Sequence, residues 1–254
     1  MRFRDMMTLT DHGPDTFVGI GPRYPWGGLY GGQIVAQALR AAAATVDDAY
    51  RVHSLHAYFL RPGDHTAPVR YEVDRLRTGR SFVARAVNAR QEATILHLQA
   101  SFQLDRGVVA PRRADAPDVV GPDGLDDNSW TPMLERRMLP PGPGQVAAWM
   151  RVPELTGDDP VLSACALAYL SDDLPTDAVA SAWRDDLDGD DWFGTSLDHA
   201  IWFQQPIPPD GPLLFSYHAE GLAPPRGLSV GRVFDAAGAH LATVTQEVLI
   251  RTRR

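Results

Sequence analysis

Residues Thr195 to Ile207 read TSLDHAIWFQQPI, and residues Val52 to Pro62 read VHSLHAYFLRP. Both runs carry the apolar content of a buried strand and close on Phe-x-x-Pro, Phe59 to Pro62 in one and Phe203 to Pro206 in the other. The two tags stand 203 − 59 = 144 residues apart, and Arg80 and Arg226 stand at nearly the same spacing. Self-similarity at one spacing implies two copies of a supersecondary unit.

Working outward, each run is preceded by a helix pattern and followed by strand patterns. In the first half, Ile34, Val35, Ala38, Leu39 and Ala42 give IVAQALRAAAATV an apolar stripe at helical spacing. A strand candidate, TFVGIGP, comes before it. After it come HSLHAYFL, VRYEVDRLR, SFVARAVNAR and ATILHLQASFQL, punctuated by turns at RPGD, RTGR and RQEA. The second half repeats the order: strand QVAAWMRV, helix DPVLSACALAYLSDDL with Asp159 placed to cap and Pro160 suited to the first turn, then LDHAIWFQQPI, PLLFSYHAE, GLSVGRVFD and HLATVTQEVLIR. Between the halves, Pro111 to Gly144 is rich in Pro, Gly and Asp and reads as a linker or covering loop, with a short helix expected at MLERRML. The expected organisation is residues 1–110, a linker 111–144, and residues 145–254. The fold class is α+β, two one-helix antiparallel sheets side by side with a cleft between the copies.

Composition narrows the function. The 254 residues, 44% hydrophobic and 22% charged, suffice for a full core. No run approaches the ~20 apolar residues of a membrane span, and MRFRDMMTLTDHG lacks the apolar centre of a secretion signal, so the expectation is a cytoplasmic protein with no membrane partner. A net charge of −8 argues against a nucleic-acid partner. All 24 basic residues are Arg, which excludes Schiff-base and pyridoxal lysines and a P-loop lysine. Cys165 is the single cysteine, so an internal disulfide or a multi-cysteine zinc site is excluded, and the eight His show no metal spacing. The reading therefore includes neither cofactor nor metal. Gly227 to Gly231 spells G-x-S-x-G around Ser229, but a nucleophile elbow needs a following helix and a later acid and His, and here a strand pattern follows near the chain end.

LYGGQIVAQALRAA, VHSLHAYFLRPGD, YEVDRLRTGRSFVARAVNARQ, SLDHAIWFQQP and RGLSVGRVFDAAGAHLATVTQEVLIR together resemble the bacterial type II acyl-coenzyme A thioesterases over nearly the whole chain. The resemblance implies a double hotdog fold, two tandem antiparallel sheets each wrapped on one long helix. It also implies hydrolysis of fatty acyl-CoA to free fatty acid and CoA without a covalent intermediate, and a homo-oligomer, dimer or tetramer. The family orients its water with an Asp, a Gln and a Thr. Carried over, the acid corresponds to Asp198 and the amide to Gln246, while the place expected for the Thr falls near Glu220, because Ser216 to Gly227 contains no Thr.

The physical demand is a held water, a base, and donors at the developing oxyanion. Asp198, in a strand otherwise apolar, suits the base. Gly31, Gly32 and Gln33 open a helix whose first amides could face a thioester oxygen. Arg61, Arg77 and Arg80 are candidates for the CoA phosphates. The competing reading is a non-catalytic or weakly active acyl-CoA-binding protein, favoured by the missing Thr.

Overall fold

The computed structural model describes residues 1–107, 114–153, 155, 157, 159–183 and 192–252. The first three residues of the expected linker, 111–113, and the last two of the chain lie outside them. The helices are α1 (Phe3–Met6), α2 (Gly31–Ala43), α3 (Pro160–Ser171) and α4 (Pro175–Ala182). The strands are β1 (Thr10–Asp11), β2 (Thr16–Gly19), β3 (Tyr50–Phe59), β4 (Val69–Thr78), β5 (Phe82–Arg90), β6 (Thr94–Leu104), β7 (Glu135–Met138), β8 (Gln145–Arg151), β9 (Trp192–Ser196), β10 (Asp198–Phe203), β11 (Leu213–Ala223), β12 (Arg226–Phe234) and β13 (His240–Thr252).

Each half contributes one arm of a single antiparallel sheet ordered β1-β2-β4-β5-β6-β3-β10-β13-β12-β11-β8-β7, with β9 alongside β13. The join is β3 against β10, Leu55 opposite Ile201 and Ala57 opposite His199. The two Phe-x-x-Pro runs that echo each other in sequence are thus neighbours in space. Two separate sheets were expected; hydrogen bonding across this seam makes them one, because pairing the two central strands leaves neither with an open edge.

Inside the curl of the sheet α2 and α3 lie side by side, packed on each other. Both are buried nearly all round, α2 from Gly32 to Ala43 apart from half-exposed Arg40, and α3 from Leu162 to Ser171. That explains why α3 has no polar stripe: it faces a helix on one flank and the sheet on the others. The helices run antiparallel. Arg40 near the end of α2 pairs with Asp159 at the start of α3 (3.1 Å), and the start of α2 meets the end of α3. Close approach at that second end requires glycine: a Cβ on Gly32 would lie 2.4 Å from the Tyr169 carbonyl oxygen.

Asp159 caps α3 as its position suggests, accepting from the Leu162 amide at 2.9 Å, with Pro160 in the first turn. Two elements differ from expectation. MLERRML forms strand β7 rather than a helix, since Glu135 to Met138 finds a partner edge in β8 and Glu135 an ion pair with Arg151 at 2.7 Å. Helix α4 follows α3 directly, where only a connection was read; Pro175 opens it and Ala178, Val179 and Ala180 bury one side. The middle segment covers the end of the helix pair: Trp130 packs on Tyr24, Trp26 and Tyr30, and its indole Nε1 donates to Asp173 (2.7 Å), which Arg136 also holds at 2.8 Å. No helix among the described residues is long and apolar enough to cross a membrane.

Candidate functional site

The face on which each side chain falls is set by one residue, Leu197. Strand β9 pairs β13 with Ser196 opposite Val248, whereas β10 pairs β13 with Ala200 opposite Thr245, so the register slips by one between them. Leu197 takes up the slip, its amide donating to Glu247 O (2.8 Å) and its carbonyl accepting from Phe59 N (3.0 Å). A bulge of this kind puts Ser196 and His199, three apart, on the same inner face, while Asp198 turns to the other.

Asp198 is therefore not beside Gln246. Gln246 is fully buried on the inner face; Asp198 is half-buried on the outer face, near exposed Tyr58 and Trp202. Its carboxylate accepts from the Glu247 amide at 2.7 Å, satisfying a donor that the bulge leaves without a strand partner. Burial raises its pKa, and that amide draws it back down. The geometry separates the pair that sequence reasoning joined, and the physical reason is the bulge, which strict alternation does not foresee.

What Gln246 does meet is Ser196, with Nε2 donating to Oγ at 2.7 Å, and His199, whose Nδ1 lies 2.5 Å from Oε1. The Ser196 hydroxyl in turn donates to Asp172 Oδ1 at 3.3 Å. Asp172 is the C-cap of α3, buried at the end of the helix pair, and also accepts from the Gly32 amide and the Gln246 side chain. Burial pushes its carboxyl up to about 7; those donors oppose the rise, and the nearby Asp173 charge adds to it. A carboxylate, an amide and a hydroxyl thus converge from α3, β13 and β9, against the first turn of α2.

The remaining expected residues divide. Gly31 and Gly32 are at the site: a Cβ on Gly31 would sit 2.6 Å from Asp172 Oδ2, and the Gly32 amide is given to that carboxylate rather than left open. Gln33 points away, its Oε1 accepting from Tyr24 (2.8 Å) and its Nε2 donating to Gln37. Glu220 is exposed at the end of β11, paired with His218 at 2.8 Å, and lies two strands from Gln246 across Ser229 and Ala219. Arg61, just beyond the end of β3, lies at the site's end of the sheet, two residues after Phe59, whose ring is beside Gly31, and donates to Thr94 O (2.9 Å). Arg77 and Arg80 lie by the β4–β5 turn beside Tyr50 and Thr45, at the opposite end of the helices, so the structure does not gather the three arginines.

Sequence reasoning missed Asp172 and Ser196. The signal for the first was available, an acidic pair in SDDL where an apolar helix ends, and the second sat inside the stretch TSLDH. Neither nucleophile alternative is equipped. Cys165 is buried in α3 with its thiol pushed up to about 12 by burial. Ser229 is buried within β12, and its hydroxyl has no hydrogen-bond partner among the described residues. Among those residues no group of three or more His, Cys, Asp or Glu could hold a metal.

The internal repeat shows that this constellation occurs once. Strand β3 breaks register between Val52 and Ser54 as the second copy does between Ser196 and Asp198. Matching the breaks sets Val52 in the place of Ser196, Leu55 in that of His199 and Ala100 in that of Gln246; the helix cap matching Asp172 is Ala44. All four polar positions are apolar in the first copy.

Comparison with known proteins agrees with this architecture. The acyl-CoA thioesterase N-terminal domain family matches residues 21–103, and the acyl-CoA thioesterase C-terminal domain family matches residues 110–250. Human acyl-coenzyme A thioesterase 8 is 32% identical over 89% of this chain and 81% of its own length. Acyl-CoA thioesterase 2 of Haemophilus influenzae is 31% identical over 88% and 87%. Among solved structures, the tesB protein of Mycobacterium avium subs paratuberculosis superposes with a TM-score of 0.86 at 32% identity, covering 98% of both chains. A protein from Alicyclobacillus acidocaldarius described as having a hot dog fold superposes with a TM-score of 0.84 over 99% of this chain and 98% of its own; at 21% identity that likeness concerns fold alone.

Proposed function

The chain belongs to the acyl-CoA thioesterase family, and from that premise we propose that it hydrolyses fatty acyl-CoA to free fatty acid and CoA with a water activated by Asp172. The supporting observation is the carboxyl buried at the end of α3, raised to about 7 and facing the Gln246 amide and the Ser196 hydroxyl. A base works best with a pKa near the operating pH, and an ordinary carboxylate near 4 falls well short of that.

In this reading Asp172 takes a proton from the water as its oxygen adds to the thioester carbon. Gln246 and Ser196, whose donors otherwise rest on Asp172, turn them to that water and hold it in line as it enters beside the carboxylate. The C–S bond then breaks, and the proton passes from Asp172 to the departing CoA sulfur. Gly31, at the positive end of α2, offers its amide to the thioester oxygen, since first-turn amides lack intrahelical acceptors. Of the three arginines considered, Arg61 is the one at the site's end of the sheet and is the candidate for CoA phosphate. The architecture is a double hotdog in which the second copy supplies β9 and β13 while the first supplies the helix start. In this reading the hydroxyl of Ser196 takes the role for which no Thr was found.

The test is CoA release, followed with a thiol-reactive dye, over saturated acyl-CoAs of several lengths. Turnover of at least some of them is expected. Tight acyl-CoA binding with no thiol release would overturn the hydrolytic reading and restore the binder.

A further inference from the structure

His199 has no part in the chemistry above, yet it is fully buried and touches the site through two hydrogen bonds. Its Nδ1 lies 2.5 Å from Gln246 Oε1 and its Nε2 lies 2.9 Å from the Ser171 hydroxyl. Burial pushes its pKa down to about 4, so the ring is neutral and carries one proton. A neutral imidazole donates from one nitrogen and accepts at the other.

The proton's place follows from the partners. Gln246 spends its NH2 on Ser196 Oγ and Asp172, so its Oε1 is what faces His199. Nδ1 must then carry the hydrogen and Nε2 must accept; the Ser171 hydroxyl, which lies 2.9 Å from Nε2 and 3.1 Å from the Ala168 carbonyl oxygen, gives its one hydrogen to the ring in this arrangement. We infer that His199 is a positioning residue for hydrolysis: its Nδ1–H fixes the Gln246 amide with the NH2 turned toward Asp172 and Ser196, the orientation that can hold the water. A side-chain amide is nearly symmetric in shape, and without a fixed donor on its oxygen side it can turn over, presenting an acceptor where the water needs a donor. Ser171 closes the ring of contacts, because the next residue along the chain is Asp172 itself.

The first copy argues that the fold does not need this histidine. Its counterpart is Leu55, equally buried, opposite Ala100 rather than a glutamine. A sheet of this shape accepts leucine there when no amide has to be aimed.

This inference rests on the proposed reaction and is tested by three variants. His199→Asn keeps an N–H close to the Nδ1 position, His199→Gln moves it out toward Nε2, and His199→Leu copies the first repeat. His199→Asn is expected to keep kcat within about threefold of the wild type, while Gln and Leu lose about tenfold or more in kcat with KM little changed. Circular dichroism and Tm establish that each variant is folded. A wild-type kcat in His199→Leu, or equal losses in folded Asn and Leu variants, would overturn the positioning role. The side-chain amide NH2 signals of Gln246 in a 15N NMR spectrum give a readout independent of turnover. They should keep slow hydrogen exchange and separate shifts in the Asn variant and lose both in the Leu variant; unchanged signals in Leu would also overturn the inference. Should the wild type release no CoA, the hydrolytic reading fails by itself and the NMR comparison still decides the role of His199.

Discussion

Asp172 owes its basicity to where α3 stops. The helix end places the carboxyl among buried groups, which raises its pKa to about 7, and Gly32, Ser196 and Gln246 donate enough hydrogen bonds to keep it ionisable near neutrality. The rate of CoA release should therefore rise with pH to about 7 and level off above it, because only the ionised carboxyl can take the proton. A rate independent of pH between 5 and 8 would contradict the assignment. The same shift makes a stability statement. Folded Asp172 holds its proton well above the ordinary carboxyl value of 3.8, so its contribution is present at low pH and is lost as pH rises through about 7. Buried His199 acts the other way: held neutral down to about 4 against an ordinary 6.5, it contributes above 6.5 and is lost as pH falls through 4. Asp172→Asn should gain in urea midpoint relative to the wild type as pH is raised from 4 to 8. A difference that does not change with pH would show that the carboxyl is not shifted.

At the scale of elements, what decides the site is a bulge of one residue. Both helices, the Asp159 cap, the β8 strand and the strands from β3 to β6 and β10 to β13 are legible from periodicity, because long apolar patterns commit to one structure. The slip at Leu197 is not, since nothing in TSLDHAIW marks where alternation breaks; the acid that the resemblance carries over, Asp198, falls on the outer face, and the acid beside Gln246 is Asp172. Glu135 to Met138 was misread because a lone short segment takes its form from the edge it meets. α4 was missed because eight residues, the first of them a proline, are too few to carry a periodic signal. Cap and ion pair are testable at this scale. Asp159→Ala removes both the acceptor for Leu162 N and the partner of Arg40, and should cost about 1 kcal/mol, lowering Tm by roughly 2 to 4 °C. An unchanged Tm would mean that the end of α3 is held by packing alone.

The whole molecule is two copies that have divided their labour. Repeat and order were readable in the sequence; that the copies join through β3 and β10 into one sheet was not, because strand pairing between distant segments leaves no local trace. The helix start of the first copy faces the strands of the second, so neither half contains the site. With the central strands paired and the two helices packed together, the halves should unfold as one, giving a single calorimetric transition; two resolved transitions would show that the seam is weaker than the copies it joins.

The most direct test sets two acids side by side on one acyl-CoA substrate, with fold checked by circular dichroism. Asp172→Asn should lose about a hundredfold or more in kcat, as for removal of a general base, while Asp198→Asn, which weakens a bond from the Glu247 amide and removes a charge near Glu247 and His56, should stay within a few-fold of the wild type. The reverse ranking would move the chemistry to the outer face of the sheet and contradict the account.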